Sequence, residues 1–407
     1  MRIAMVGPFG FHPKKTMRSR ALPLAKALSA QGHQVKILMP PWHTPELADR
    51  DWQEDGVDIR YVALGGGVLG RSWRLMRETL AWQPEVVHTF KPKAYSGLVA
   101  WWLWQFHRRG LKIVTDSDDW VGWGGWNDMS PYSGTQKKFF SWQEKWGLKH
   151  CHAITVASRS LQSIAWTRHS PAGKVHYLPN GPGISQGISP ETGPGSNRRE
   201  ELGLSERPVV LIYSRWFEFD NQRLISVLKL VHQAVPDMAI LLVGATLLDE
   251  DAAEFRRQMS DSDLEDAIVD LGWVEEQDLP ATLSSADVGL YLMDDTLLNR
   301  SKCPVKLADM LAMGVPVVGE SVGQVPEYII HDRTGLLVGN GDKEGIAAGL
   351  ITLLQDKDDR HRLGQAAQTH IRNHFNWFKL ATDLAQVYIS INVDTKHSNR
   401  KNVETGP

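Results

Sequence analysis

Residues 302–309 bring two amines and a carboxylate into one short stretch: Lys302, Lys306 and Asp309, with Cys303, Pro304 and Val305 between the first two. Pro304 suits the first position of a helix, where its missing N–H costs nothing, and Val305, Ala308, Leu311 and Ala312 then line one apolar face. Gly314 and Pro316 end that helix, and Val317-Val318 gives a short buried strand. Cations at a helix start oppose the positive end of the macrodipole by roughly 0.3–1 kcal/mol, so two of them there point to an anion. A diphosphate would take the free N–H groups of residues 303–306 and both ammonium groups, while Asp309, one turn on, would accept from ribose hydroxyls. A solvated helix start with two surface lysines fits the same spacing.

A second group follows the strand Ile113–Thr115: Asp116, Ser117, Asp118 and Asp119, then Trp120, Trp123 and Trp126 among Gly122, Gly124 and Gly125. The glycines disfavour a helix and leave the three indoles without a regular face to pack on. Carboxylates beside indoles suit a site that hydrogen-bonds sugar hydroxyls or stacks on a sugar or lipid face. Asp116, Trp120, Trp123 and Trp126 are therefore expected to hold an acceptor, and Asp118 to take part in catalysis. The alternative is a buried aromatic cluster.

The elements that must position these groups read as two domains. A chain of 407 residues suits two units of about 200, and its 42% apolar and 23% charged content is that of a globular protein. No stretch of about 18 uncharged apolar residues appears, and the first residues form a strand rather than a signal core, so the cytoplasm is expected. Two cysteines, Cys151 and Cys303, are too few for a disulfide framework or a zinc site. The net charge of −2 hides an asymmetry: residues 1–190 hold 24 Lys+Arg against 13 Asp+Glu, a balance of +11. A basic half suits an anionic surface or a phosphorylated acceptor, and a scattered solvated surface fits as well. The basic residues form no nucleic-acid motif, and nucleic acid is not expected as a partner.

In order, residues 2–7 form a strand whose turn, Gly7 to Gly10, lies where open α/β sheets bind ligands. A helix over 17–30 follows, then strands at 35–39, 59–63, 86–89, 113–115 and 154–156 separated by helices, a doubly wound sheet. Ser96 to Phe106, with Trp101, Trp102 and Trp104, reads as a buried core helix. The first domain spans 1–185. The Gly-, Pro- and Ser-rich stretch 186–207 reads as a linker, 208–375 as a second Rossmann-like domain, 376–392 as a helix and 393–407 as a disordered tail.

The 299–338 segment resembles the donor-binding stretch of retaining GT-B glycosyltransferases, close to glycosyltransferase family four. Its members carry Lys-Leu-x-Glu-x-Met-Ala-x-Gly-x-Pro-Val-Val, then Gly-Gly-x-Pro-Glu and Gly-x-Leu-Val. Here these fall on Lys306 to Val318, Gly323 to Glu327 and Gly335 to Val338. The family's paired glutamates correspond to Ser301 and Asp309, so one is lost and one shortened. Ser214-Arg215 after the strand Val209–Tyr213 resembles the family's Gly-Arg, whose arginine contacts donor phosphate; the family's lysine five residues later is Asp220. Gly244, and Gly272, Trp273 and Val274, match further landmarks, the last of which holds the nucleobase in relatives. The family's cleft histidine is replaced by Ser117 or a neighbouring aspartate. Asp116-Ser117-Asp118 also has the form of the metal-binding aspartates of the GT-A fold, but the rest of the chain resembles GT-B, and no metal or other cofactor is expected.

The resemblance implies a GT-B fold of two facing Rossmann-like domains, with the final helix crossing back to the first. It implies a retaining transferase that takes a nucleotide diphosphate sugar, UDP-sugar favoured and GDP-sugar the alternative, to a lipid, glycan or small-molecule acceptor. Arg215, Lys302, Lys306 and Asp118 are the expected catalytic residues. Gly7, Gly10, Arg215, Gly244, Trp273, Val274, Ser301, Lys302, Cys303, Pro304, Val305 and Asp309 are the expected donor contacts. The +11 balance with Trp120, Trp123 and Trp126 suggests a peripheral, anionic membrane contact at the inner face. Other readings are a non-catalytic sugar-nucleotide binder and an epimerase or phosphorylase on the same fold.

Overall fold

The computed structural model describes residues 1–168, 170–184, 195–244, 249–260 and 262–403. The chain separates into two compact units, 1–180 with 301–303 and 377–407, and 181–300 with 304–376.

The first unit holds an eight-stranded sheet: β1 (Arg2–Val6), β2 (Gln34–Met39), β3 (Arg50–Glu54), β4 (Val57–Tyr61), β5 (Val86–Phe90), β6 (Lys112–Ser117), β7 (Ala153–Val156) and β8 (Val175–Tyr177). Their order is β3-β4-β2-β1-β5-β6-β7-β8, parallel except for β3, which runs antiparallel to β4. The apolar runs that predicted β1 and β5 to β7 are buried on both faces, as parallel strands require, while β2 and β4, nearer the sheet edge, leave Lys36 and Arg60 half-buried and Asp58 exposed. Polar β3 and short β8 carry no such run and went unforeseen. One face packs α1 (Leu22–Ala30) and the final helix, where Leu24 and Leu28 meet Leu380, Leu384 and Tyr388. On the other, Leu75 and Met76 of α2 (Gly67–Ala81) join Val99 and Leu103 of α3 (Ala94–His107). In α3 it is Ser96, Gly97, Val99, Ala100 and Leu103 that turn inward. Trp101, Trp102 and Trp104 are only half-buried and Phe106 is exposed, which corrects the all-round core reading. The small inward side chains let α3 close on its neighbour: a Cβ at Gly97 would lie 2.7 Å from Gln143 Nε2.

The second unit is a six-stranded parallel sheet of β9 (Val209–Tyr213), β10 (Ala239–Val243), β11 (Ile268–Asp270), β12 (Val288–Tyr291), β13 (Val317–Glu320) and β14 (Leu336–Val338), ordered β11-β10-β9-β12-β13-β14. That is the dinucleotide-fold order, with its reversal between β9 and β12. In the first unit the reversal falls between β1 and β5. Loops after these four strands are where ligands bind.

Of the expected linker, residues 195–201 form a helix, and Arg199 pairs with Asp287 at 3.3 Å, so this part belongs to the second unit. Residues 186–194 lie outside the described ones. The final helix runs Trp377–Val403, past the expected end at 392, because neither Gly nor Pro interrupts it. Residues 404–407 lie outside the described ones. No described helix is long and apolar enough to cross a membrane.

Candidate functional site

In the second unit the cations gather at the end of β9. The helix after residue 304 spans Val305–Ala312, with Pro304 as its cap rather than its first residue. Its buried face is Leu307, Ala308, Met310 and Leu311; Val305 and Ala312 are only half-buried. Lys306 points back across β9: Nζ donates to Ser214 O at 2.5 Å and lies 4.6 Å from the Tyr213 ring. Burial, with the Arg215 charge adding to it, lowers the Lys306 ammonium to about 7. Arg215 is partly exposed, and among the described residues its guanidinium has no hydrogen bond or ion pair. Gly244 ends β10 with φ +129, and a Cβ there would sit 2.5 Å from Ser214 O and 3.0 Å from Lys306 Nζ. Only glycine lets that backbone approach the cluster.

Asp309 lies on the same helix, buried, with Oδ1 accepting from the backbone N–H of Gly183 at 2.6 Å and Ile184 at 3.1 Å. Burial raises its carboxyl to about 7. Its Oδ1 is thus already occupied by two backbone donors. Asp220, which stands where the family has a lysine, caps the helix Asn221–Ala234 by accepting from Gln222 N at 2.9 Å. Trp273 is exposed and donates from Nε1 to Glu275 at 3.1 Å, while Val274 is half-buried.

Residues 301–303 pack with the first unit. Ser301 Oγ accepts from Trp120 N at 3.1 Å, and its carbonyl accepts from Ser158 Oγ at 2.8 Å. Cys303 receives the Asn180 backbone N–H on Sγ at 3.1 Å and its side-chain amide on the carbonyl at 3.0 Å. Lys302 Nζ lies 5.7 Å from the Trp126 ring. Ser301 and Cys303, expected to touch the donor, thus spend their side chains on the first unit. Gly7 and Gly10 lie buried after β1, where a Cβ on Gly7 would meet Met17 Sδ at 2.6 Å and one on Gly10 the Tyr61 hydroxyl at 3.0 Å. Both glycines leave room for these side chains.

The loop after β6 differs most from expectation. Asp116 is fully buried and takes Arg20, Nε to Oδ1 at 2.9 Å and Nη2 to Oδ2 at 2.7 Å, and the Thr155 hydroxyl at 2.6 Å. Fully enclosed in this ion pair, it presents no exposed oxygen to an acceptor, and the acceptor-binding role is corrected. Trp120 is 1% exposed; it folds under its own loop, Nε1 donating to Trp123 O at 2.9 Å. A Cβ on Gly122 would lie 2.6 Å from that indole, so the glycines make room for Trp120, and its exposed-loop role is corrected too. Trp123 is 49% exposed, and Trp126 is half-buried.

Beneath the loop is a residue that sequence reasoning missed. Glu144, fully buried on the helix Gly134–Lys149, accepts from Val121 N at 2.9 Å and Gly122 N at 2.7 Å. Burial pushes its carboxyl up to about 8, against those two donors. A lone acid in a lysine-rich helix gave no signal. The loop after β5 supplies a second unforeseen group, Lys91, whose Nζ lies 3.4 Å from Asp118 and 2.8 Å from Asp119. Lys91 has φ 47, a left-handed conformation that a lysine adopts only under tertiary constraint. Burial raises Asp118 to about 6, with Lys91 opposing. For Asp119 burial also pushes up, but Lys91 outweighs it and holds the carboxyl below its usual range. Among the described residues Asp118 Oδ1 and Ser117 Oγ are buried without a hydrogen-bond partner. The β6 end therefore offers a buried carboxylate oxygen and a hydroxyl to a hydroxylated ligand.

Two doubly wound units, one with an arginine unpaired among the described residues and a lysine beside it at its switch point, have the architecture of the GT-B fold. The chain belongs to the group 1 glycosyltransferases: residues 16–181 match the glycosyl transferase 4-like domain and residues 207–356 the glycosyl transferases group 1 domain. A GDP-mannose-dependent alpha-(1-6)-phosphatidylinositol monomannoside mannosyltransferase of Mycobacterium tuberculosis is 27% identical over 57% of this chain and 60% of that protein. The chain thus spans about three fifths of the length of that relative. A phosphatidyl-myo-inositol mannosyltransferase of Mycolicibacterium smegmatis is 24% identical over 96% of this chain and 94% of that protein. Among solved structures, sucrose-phosphate synthase from Thermosynechococcus elongatus superposes with a TM-score of 0.75 at 20% identity, over 97% of this chain and 100% of that one.

Proposed function

We propose that the protein is a retaining glycosyltransferase that moves a hexose from a nucleotide diphosphate sugar to a lipid-linked or glycan acceptor. The observation that carries this reading is the Arg215 guanidinium, without a hydrogen bond or ion pair among the described residues, beside Lys306 and the Gly244 backbone. Two neighbouring cations at the switch point of a dinucleotide-order sheet suit a diphosphate. They would stabilise the charge that develops on the leaving diphosphate as the sugar–phosphate bond breaks. Asp118 Oδ1, buried and unpartnered among the described residues, would accept the hydrogen bond of the attacking hydroxyl. No metal or other cofactor has a role in this scheme. GDP-mannose becomes the first donor to try, because the relatives are named for mannosyl transfer; UDP-sugars come second. The protein works in the cytoplasm.

Incubation with a panel of GDP- and UDP-sugars tests the reading: slow release of GDP or UDP marks a transferase. Arg215→Ala should lower turnover on the order of 100-fold while weakening nucleotide binding less. Unchanged turnover in that variant refutes the role. The second reading, a sugar-nucleotide binder without transfer, draws on Ser301 and Asp220, whose side chains serve local structure where the family has a glutamate and a lysine. Tight binding without release favours it, and an isomerised sugar would mark an epimerase.

A further inference from the structure

We propose that the outer face formed by α2, α3 and the helix Gly134–Lys149 docks the protein on an anionic phospholipid bilayer. The proposal deepens the lipid-linked acceptor reading by naming where the first unit would meet that acceptor's membrane. The three helices are neighbours, α2 packed on α3 and α3 on Gly134–Lys149. Their inward sides are filled, so the large apolar side chains that remain face out: Leu69 is 66% exposed, Trp73 49%, Phe106 72% and Trp142 44%.

The aromatic rings form two connected tracks. Trp73 meets Trp102 edge-on at 5.7 Å, and Trp102 meets Trp101 at 6.4 Å. Along the third helix Phe139 stacks near Trp142 at 5.8 Å, and Trp142 lies 6.2 Å from Trp146. His150, stacked on Trp146 at 4.2 Å, links that track to Trp104 of α3 at 5.9 Å.

Charge decides what the face fits. Residues 86–115, which include α3, contain no acidic residue, and the helix Gly134–Lys149 contains one, Glu144, which is buried under the loop. Exposed Lys138, Lys145 and Lys149 therefore flank the indoles with no acid among them, and Arg108 and Arg109 extend the charge beyond α3. A protein partner would be met by a compact apolar patch with a mixed-charge rim. Indoles spaced among cations, on helices whose inward faces are already packed, match the headgroup layer of an anionic leaflet. The membrane contact expected from Trp120, Trp123 and Trp126 thus moves from the loop to the helices.

The test is sedimentation of the full chain, without donor, with vesicles of phosphatidylcholine alone or of equal parts phosphatidylcholine and phosphatidylglycerol, at low and high salt. The expected result is binding to the anionic vesicles that weakens with salt. The triple variant Lys138→Ala, Lys145→Ala, Lys149→Ala should reduce that binding on the order of 100-fold, and Trp73→Ala with Trp142→Ala should reduce it independently of salt. All five side chains are exposed or rim residues, and nucleotide release without vesicles, measured in parallel, reports whether each variant is folded. Failure of nucleotide release in the wild-type protein strikes the transferase reading and leaves the vesicle result standing on its own. Equal binding to both vesicle types, no binding to either, or full binding by the lysine variant overturns the proposal. So does a concentration-dependent dimer that Trp142→Ala abolishes, which would assign the face to a second copy of the chain.

Discussion

Nucleotide binding should take up a proton at Lys306, and the size of the effect follows from its surroundings. Enclosed beside Arg215, the ammonium titrates near 7 in the free protein. A diphosphate in contact with it restores the charged form and moves its pKa back towards the ordinary value of about 10.4. At pH 7 about half the free protein carries the charge, and at pH 8 roughly a tenth does. Apparent affinity for GDP should then fall about five-fold over that unit, about 1 kcal/mol, with close to one proton taken up per nucleotide bound at pH 8. The sign is fixed: the bound form holds more protons, so affinity falls as pH rises from 7 towards the bound pKa. Calorimetric titration with GDP in buffers of different ionisation enthalpy measures the uptake directly. Asp309, which titrates near 7 as well, adds uptake of the same sign, so the control is Lys306→Arg, which stays charged and removes only the lysine's share. If wild type and Lys306→Arg take up the same number of protons at pH 8, Lys306 does not meet the diphosphate.

Three further outcomes follow from the first unit. Asp116→Ala leaves the Arg20 guanidinium buried without its carboxylate and should cost about 3–5 kcal/mol in denaturant unfolding; a fully stable variant with a raised acceptor KM would restore the acceptor role. Glu144→Ala strips the acceptor from two buried N–H groups, Val121 and Gly122, a loss of about 1–3 kcal/mol for each, read from the unfolding midpoint and the Trp120 fluorescence. A change below about 0.5 kcal/mol would mean that the loop holds itself. With Asp118 near 6, kcat/KM should fall as pH drops below about 6 because its carboxylate is lost to protonation, and Asp118→Asn should be slow and lack that limb; an unchanged profile removes Asp118 from the reaction.

What the sequence determined by itself is whatever rests on local pattern. Apolar runs between glycine turns announced the parallel strands, because strands buried on both faces need unbroken apolar stretches. Pro304, Gly314 and Pro316 bounded the helix that carries Lys306 and Asp309 to within a residue, because caps and breakers act on their own neighbours. Ser214-Arg215 was legible from its resemblance to the family's Gly-Arg after the first strand of the second domain. Tertiary structure decided everything that depends on which distant group lies opposite. Asp116 and Asp118 are two residues apart and alike in sequence, yet Arg20, which lies 96 residues away, neutralises one while the other keeps an unpartnered oxygen. Trp120 and Trp123 share one loop, but Glu144 pins its backbone so that the first indole turns under and the second out. The α3 tryptophans read as core because the helix is apolar all round; only the neighbouring helices, by filling its small-residue side, set which rings would face solvent. Charge pairing and the choice of inward face are long-range balances of desolvation against contact, and no window of sequence contains both partners.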